Sequence, residues 1–108
     1  MTARARLAPA LLGLFWVLVY LPPLLADRWL PARDVAATQV PWRTTWRDQV
    51  AAGLLPLWDP SANQGRPLLA NPNAMAFYPG SALFLALDPE RAAAWHLAGH
   101  HLLLLIAC

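Results

Sequence analysis

The first clear pattern in the chain is an uncharged apolar run over residues 7–26, LAPALLGLFWVLVYLPPLLA. A helix rises about 1.5 Å per residue, so about twenty such residues cross a hydrocarbon core of about 30 Å. The pattern therefore predicts a first transmembrane helix over residues 7–26. Because proline disrupts a helix interior, Pro22 and Pro23 are expected to kink or end this helix near its far side.

A cleaved signal peptide is the competing interpretation of the same run, since a basic start before an apolar segment is typical of both. Signal cleavage sites carry small residues, and Leu24 lies two residues before Ala26, which fits cleavage poorly. The flanking basic residues are Arg4 and Arg6 on one side and Arg28 and Arg33 on the other. The positive-inside rule separates these sides only weakly, and it favours a cytoplasmic N-terminus over residues 1–6.

A second pattern, at helical spacing, covers residues 35–52. Large apolar side chains recur at i, i+4 and i+8, on one stripe of a helix: Trp42, Trp46 and Val50. Arg43 and Arg47 form a second stripe beside it, and Gly53 predicts the C-terminal end. An amphipathic helix of this kind suits a membrane interface. Packing against other parts of the same protein is an equal alternative, and the two are compatible.

Turn-forming residues and large apolar residues alternate between residues 55 and 79. The turn formers include Pro56, Asp59-Pro60, Gly65, Asn71-Pro72 and Pro79. The apolar residues between them are Leu57, Trp58, Leu68, Leu69, Met75, Phe77 and Tyr78. A disordered linker lacks such groups. We therefore expect residues 27–80 to form a structured extracytoplasmic loop that contains the amphipathic helix.

A short apolar segment, residues 81–87, precedes a helix start. Asp88-Pro89-Glu90 supplies an N-cap, a proline at the first helical position and an acid in the first turn. The sequence beyond remains apolar to its last residue, so residues 88–108 are expected to be the start of a second, truncated transmembrane helix. Together these elements predict an all-α membrane protein.

Composition agrees with this class and excludes some functions. The 108 residues are 58% hydrophobic and 13% charged, whereas soluble domains carry about 25% charged residues. The arginines are scattered among acidic residues, so the clustered basic face typical of nucleic-acid binding is missing. Cys108 is the single cysteine, which excludes a disulfide within the chain.

Several short motifs occur in the loop in a recognisable order. They are Asp34, Gly53 to Pro60 (GLLPLWDP), Gly65-Arg66-Pro67, Ala70-Asn71-Pro72 and Phe77-Tyr78-Pro79, followed by Trp95-His96-Leu97-Ala98-Gly99. This arrangement resembles the YfhO-like family of bacterial multi-spanning membrane proteins, which is similar to the GT-C glycosyltransferases. The resemblance covers nearly the whole chain. Asp59 stands where that family usually has Asn.

The resemblance implies glycosyl transfer outside the cytoplasmic membrane, from a polyprenyl-phosphate-linked sugar to a cell-envelope glycan. An acidic residue in the first outside loop is the expected general base of such enzymes, and that role falls on Asp34. A carboxylate there would take the proton of the acceptor hydroxyl during its attack. The alternative for Asp34 is an N-cap of the following helix. The alternative for the whole protein is a non-catalytic membrane scaffold or transport accessory protein.

Four further residues are candidates for substrate contact. Guanidinium groups favour phosphate oxygens, so Arg43 and Arg47 are candidate contacts of a lipid phosphate. Arginines exposed on an interfacial helix are the plain alternative. Trp58 is a weaker candidate, because aromatic side chains more often pack or anchor a protein at a membrane interface. Arg66 is also a weaker candidate, with the same alternative of an exposed arginine.

His96 and His100 lie at i, i+4, a spacing that permits two ligands to one metal, but no third ligand is near, so no metal site is predicted. No cofactor is expected in this chain, and the resemblance leaves a divalent metal open only for a longer parent. The expected partners are membrane lipids, the donor and the acceptor. The expected location is the bacterial cytoplasmic membrane, with several spans, and a fragment of this length is expected to be inactive alone.

Overall fold

Helices dominate residues 3–26, 34–61 and 64–107, which are the residues that this computed structural model describes. The α-helices there are α1 (Ala3–Leu25), α2 (Val40–Ala51), α3 (Leu83–Ala86) and α4 (Pro89–Ala107). Two short strands, β1 (Trp58–Asp59) and β2 (Arg66–Pro67), pair antiparallel between α2 and α3. The predicted helical class is right, and the small hairpin is an addition to it. Arg28 and Arg33 lie outside the described residues.

Helix α1 contains the predicted apolar run. Within the described ranges, Leu7–Leu25 is the single helical stretch long and apolar enough to cross a membrane, and a signal sequence near an N-terminus meets the same criterion. Both Pro22 and Pro23 lie inside α1, which ends at Leu25. Most of its large apolar side chains are exposed, so the rest of the described chain covers little of this surface.

Helix α2 follows a single π-helical stretch, Val35–Gln39, and the two together match the predicted helix closely. Trp46 is buried, and Trp42 and Val50 pack against the same core. The packing alternative for the aromatic stripe is therefore confirmed. The helix ends before Gly53, whose φ of +73° is a left-handed conformation that glycine adopts at no steric cost.

The turn of the β-hairpin contains a second glycine with a left-handed backbone conformation, Gly65. Trp58 faces Pro67 and Asp59 faces Arg66 across the pair. Gly65 has a φ of +95°, and a Cβ built on it would overlap the indole of Trp58. The Trp58 ring therefore packs where only glycine leaves room.

One core joins α2, the loop, α3 and α4. Its buried members are Trp46, Leu68, Ala74, Phe84, Ala92 and Ala93. Leu68 comes from the loop and Phe84 from α3, and both are fully buried. Leu68 and Ala74 thus connect the loop to this core. Other large side chains of the loop are exposed: Leu57, Trp58, Phe77 and Tyr78.

Helices α1 and α4 pack through small residues and two polar contacts. Leu24 is buried against Ala94 and Ala98, and small side chains let two helices approach closely. The Trp16 indole N–H donates to the Ala98 carbonyl at 2.9 Å. The Tyr20 hydroxyl is hydrogen-bonded to the His101 ring. These contacts tie the N-terminal helix to the last helix of the described chain.

Helix α4 begins as the sequence predicts. The Asp88 carboxylate accepts hydrogen bonds from the backbone N–H groups of Glu90 and Arg91, at 3.2 and 3.0 Å. Pro89 is the first helical residue. The preceding apolar segment forms the 3₁₀ turn Pro79–Ala82 and the short helix α3. This brings the start of α4 against α2.

Candidate functional site

Arg43 is the most unusual polar residue among those described, because its side chain is buried with 2% exposure. Its guanidinium carbon lies 4.7 Å from the centre of the Phe84 ring. Nη2 donates to the sulfur of Met75 at 3.0 Å, and Nη1 lies 3.4 Å from Nδ1 of His96. Nε is buried with no partner in the described part of the chain. Burial lowers the pKa of Arg43 below its ordinary value, although arginine remains charged in proteins.

These partners compensate the buried charge only in part. Removing an ion from water costs several kcal/mol even after the protein relaxes. A desolvated cation–π contact returns about 2 kcal/mol, and a thioether sulfur is a weak acceptor. Across residues 34–61 and 64–107, no carboxylate pairs with Arg43. An arginine in this state is a candidate binding group for an anion, because an anion supplies the missing acceptors.

Two histidines of α4 lie beside this guanidinium. The rings of His96 and His100 stack with their centres 4.3 Å apart. Nδ1 of His100 lies 2.6 Å from the His96 carbonyl, which can only accept, so Nδ1 carries the proton. The Tyr78 hydroxyl, 2.6 Å from Nε2 of His100, then donates to that nitrogen. This network fixes the orientation of the His100 ring.

A cavity of about 240 Å³ lies between α2, the loop, α3 and α4. Its polar lining comes from Gln39, Arg43, His96 and His100, and the remaining lining residues are apolar. None of the lining residues is acidic. The cavity therefore combines apolar walls with a buried cation and two imidazole rings.

Asp34 lies at the start of the helical segment that borders this cavity. Its side chain is exposed, and it makes no capping hydrogen bond. The Asp34 carbonyl accepts a hydrogen bond from the Thr38 hydroxyl at 2.5 Å. The next residue, Val35, lines the cavity. The N-cap alternative for Asp34 thus lacks its defining hydrogen bond, and the carboxylate is accessible to a ligand.

The structure separates the two arginines that the sequence groups together. Arg47 lies one turn after Arg43, but its guanidinium forms an ion pair with Asp48 at 2.8 Å. Arg47 is not among the residues that line the cavity. Only Arg43 of the predicted pair therefore faces this space.

Trp58 and Arg66 lie together on the hairpin, on a different part of the loop. The Arg66 guanidinium stacks over Trp42 at 4.5 Å from the ring centre and lies 3.4 Å from the Asp59 carboxylate. Asp59 is fully buried and also accepts hydrogen bonds from the N–H and hydroxyl of Ser61, at 3.0 and 2.5 Å. These contacts stabilise the hairpin. The Arg66 side chain therefore has structural partners, Asp59 and Trp42.

The surroundings of Asp59 have two opposite effects on the pKa of its carboxyl group. Burial alone raises the pKa of this carboxyl, because it disfavours the charged form. The hydrogen bonds from Ser61, together with the hydrogen bond and positive charge of Arg66, outweigh burial. The net pKa of Asp59 lies below its ordinary value of 3.8, so the ionised form stabilises the hairpin.

Within the described ranges, no group of three or more His, Cys, Asp or Glu side chains is placed to hold a metal ion. His96 and His100 stack on each other, and His101 points to Tyr20 on α1. The i, i+4 spacing of the histidines is thus used for ring stacking.

The cavity also contains residues that the sequence reasoning does not single out as a group. Met75 and Phe84 contact Arg43, and His96 lies 53 positions from it in the chain. The periodicity of hydrophobic residues does not predict contacts between residues that are so far apart in the sequence. The only sequence hint is the presence of three histidines on an apolar helix, where polar side chains usually face the interior.

Comparison with known proteins adds no relative: no protein-family model, no curated protein and no solved structure matches the chain.

Proposed function

We propose that this chain is the N-terminal part of a multi-spanning bacterial membrane protein that transfers sugar from a polyprenyl phosphate to a cell-envelope glycan. One observation carries the proposal beyond the sequence resemblance to YfhO-like proteins. The Asp34 carboxylate is exposed and forms no capping hydrogen bond, and it immediately precedes Val35, which lines the cavity that Arg43 faces. The candidate base and the candidate phosphate ligand therefore belong to one helical segment, which supports the proposal.

The proposed reaction is a single displacement at the anomeric carbon. The acceptor hydroxyl transfers its proton to the Asp34 carboxylate as its oxygen forms the new glycosidic bond. The bond between the anomeric carbon and the phosphate oxygen breaks, and the polyprenyl phosphate leaves with the electron pair. The sugar configuration is inverted. Arg43, which faces the cavity, is the candidate contact for the donor phosphate. Arg47 and Arg66 form ion pairs with Asp48 and Asp59 instead.

The folded state of the loop supports this proposal. The motif residues are far apart in sequence, yet they have definite structural positions. Asp59 is buried at the hairpin, Gly65 admits the Trp58 ring, and the Asn71 side chain accepts a hydrogen bond from the Asn73 N–H at 3.0 Å. An enzyme that holds its base in a loop needs such rigidity, because catalysis depends on positioning. In the proposed arrangement α1 spans the membrane, α4 is the start of a second span, and the loop lies outside the membrane.

The test is an Asp34→Asn substitution in the intact gene product. A positioned general base contributes about 10²- to 10⁴-fold to rate, so sugar transfer in membranes should fall at least about 100-fold. Membrane insertion and expression should remain unchanged, because the Asp34 side chain makes no contact with the described core. Transfer is measured with an extracted polyprenyl-phosphate sugar pool and by glycan analysis of a complemented deletion strain.

Asp48→Asn is the matched control, since Asp48 is an exposed carboxylate on the same helical unit and pairs only with Arg47. This variant should transfer sugar at the parental rate. Unchanged transfer in Asp34→Asn, or an unaltered envelope glycan in the deletion strain, would contradict the proposal. The second result would favour the non-catalytic scaffold.

A further inference from the structure

The cavity beside α2 contains a charge that the described protein does not neutralise. Arg43 is nine-tenths or more buried, its Nε has no partner, and its other contacts are a sulfur atom, a ring face and an imidazole nitrogen. None of these is an oxygen acceptor. A guanidinium has five donors in a planar fork that matches phosphate oxygens. Its donors therefore lack the partners for which their geometry is suited.

His96 does not supply all the acceptors that the Arg43 guanidinium can use. Its Nδ1 lies 3.4 Å from Nη1 of Arg43 and 3.3 Å from the Gly80 carbonyl oxygen. If Nδ1 is unprotonated, it accepts from Arg43, and the Gly80 carbonyl keeps the hydrogen bond that it accepts from the Leu83 N–H. If Nδ1 is protonated, it donates to the Gly80 carbonyl and cannot accept from the guanidinium. In either tautomer the Nε of Arg43 has no partner among the described residues.

The shape and lining of the cavity suit a compact anion with an apolar continuation. Its volume of about 240 Å³ lies below the roughly 300 Å³ at which ordinary small-molecule sites begin. Its polar groups are cationic or neutral, and none of the described residues that line it is acidic. The walls are otherwise apolar, with Val35, Val40 and Leu97 among them. A carboxylate-free pocket of this kind attracts an oxyanion electrostatically.

We propose that this cavity binds a phosphate oxyanion, with Arg43 as its main ligand and His96 as a second donor from α4. On binding, the phosphate oxygens accept from Nε and Nη2 of Arg43, which share one edge of the guanidinium, and they replace the weak contact between Nη2 and the Met75 sulfur. When Nδ1 of His96 accepts from Nη1 of Arg43, its other ring nitrogen, Nε2, carries the proton and donates to the phosphate. The existence of the oxyanion site rests on geometry alone. The identity of the phosphate as that of a lipid-linked sugar rests on the proposed function.

Two sources of phosphate are distinguished by the choice of probe. The intact gene product, in detergent or in lipid nanodiscs, is titrated with inorganic phosphate, with farnesyl phosphate and with uncharged farnesol by calorimetry. We expect farnesyl phosphate to bind at least about 10-fold more tightly than farnesol. Inorganic phosphate should compete with farnesyl phosphate if the pocket recognises the oxyanion. Competition together with equal affinity for both phosphates identifies a free-phosphate site, whereas tighter binding of farnesyl phosphate identifies a lipid phosphate.

The residue test compares Arg43→Gln with Arg47→Gln. These variants lose the same charge on the same helix, one turn apart, but only Arg43 lines the cavity. Arg43→Gln should weaken farnesyl phosphate binding at least about 10-fold, and Arg47→Gln should leave it within about 2-fold. Arg43→Lys, which keeps the charge without the fork, should lie between Arg43→Gln and the parent. Equal binding of farnesol and farnesyl phosphate overturns the inference even if Arg43→Gln does not fold.

The outcomes for this site and for the proposed function are separable. Asp34→Asn should abolish transfer and leave the affinity for farnesyl phosphate unchanged. If Arg43-dependent phosphate binding occurs without any glycan change in the deletion strain, the oxyanion site stands and the transferase assignment fails. If transfer depends on Asp34 while phosphate affinity is the same in Arg43→Gln, the transferase stands and this site fails.

Discussion

Single side chains determine the shape of the loop, and Asp59 is the clearest case. Its carboxylate accepts two hydrogen bonds from Ser61 and pairs with Arg66, which in turn stacks on Trp42. The first two contacts form a local turn, and the last two connect the hairpin to α2. An asparagine at position 59 would replace this carboxylate by an amide. An amide can keep the turn but cannot keep the ion pair.

This difference predicts a graded effect of substitutions at Asp59. Asp59→Asn retains an acceptor for Ser61 and loses a long, partly exposed ion pair, so it should cost about 1 kcal/mol of unfolding free energy. Asp59→Ala also loses the turn hydrogen bonds and should cost about 2–3 kcal/mol. Thermal unfolding in detergent, followed by circular dichroism, measures both. Equal stability of the two variants would contradict the division between turn and ion pair.

The lowered pKa of Asp59 gives this effect a definite pH dependence. A carboxyl whose pKa is lower in the folded state contributes stability above its unfolded pKa, and that contribution is lost as pH falls through the folded pKa. The difference in stability between the parent and Asp59→Asn should therefore be full above about pH 5 and shrink as the pH falls through and below the ordinary value of 3.8. Asp48→Asn, at an exposed site, is the control. A difference that is constant from pH 7 to pH 3 would be inconsistent with the ion pair.

At the level of elements, the pairing of α1 with α4 is the contact that decides whether the N-terminal helix belongs to the folded protein. Trp16 donates to the carbonyl of Ala98, and Leu24 is buried against Ala94 and Ala98. A helix destined for cleavage does not need polar contacts to a later helix. A signal sequence meets the same criterion of length and hydropathy as α1, so the retention of α1 belongs to the proposed function.

The fully buried Ala98 gives a test of this pairing. Ala98→Leu adds three carbon atoms at a position with no exposure, and such overpacking costs about 1–3 kcal/mol. Ala107→Leu is the matched control, because Ala107 is exposed on the same helix. Thermal unfolding in detergent should show a lower melting temperature for Ala98→Leu only. Equal melting temperatures would mean that α1 and α4 do not pack in this way.

Local elements could be predicted from the sequence, whereas the candidate site could not. The Asp88 cap, the Gly53 helix end and the Trp46 stripe all depend on neighbours within a few residues, and each is present in the structure. The two-residue strands are too short for any alternation pattern to reveal. Burial of Arg43 was also unforeseen, since an arginine beside an aromatic stripe usually faces solvent or headgroups. Its contact with His96 depends on the packing of α2 against α4, which periodicity does not encode.

For the whole molecule, the proposed arrangement places the loop outside the cytoplasmic membrane and keeps α1 uncleaved. Phe77 is 82% exposed in this loop, so a cysteine there should be accessible without disturbing the core. In intact bacteria that express the Phe77→Cys variant with Cys108→Ser, a membrane-impermeant maleimide should label the protein fully. An epitope tag placed before Met1 should remain on the labelled species, because a retained helix is not removed by signal peptidase. Ala107→Cys, on the helix that the proposal places in the membrane, should resist the same reagent. Labelling of Phe77→Cys only after cell lysis would invert the proposed topology, and loss of the tag would show that residues 7–26 are a signal peptide.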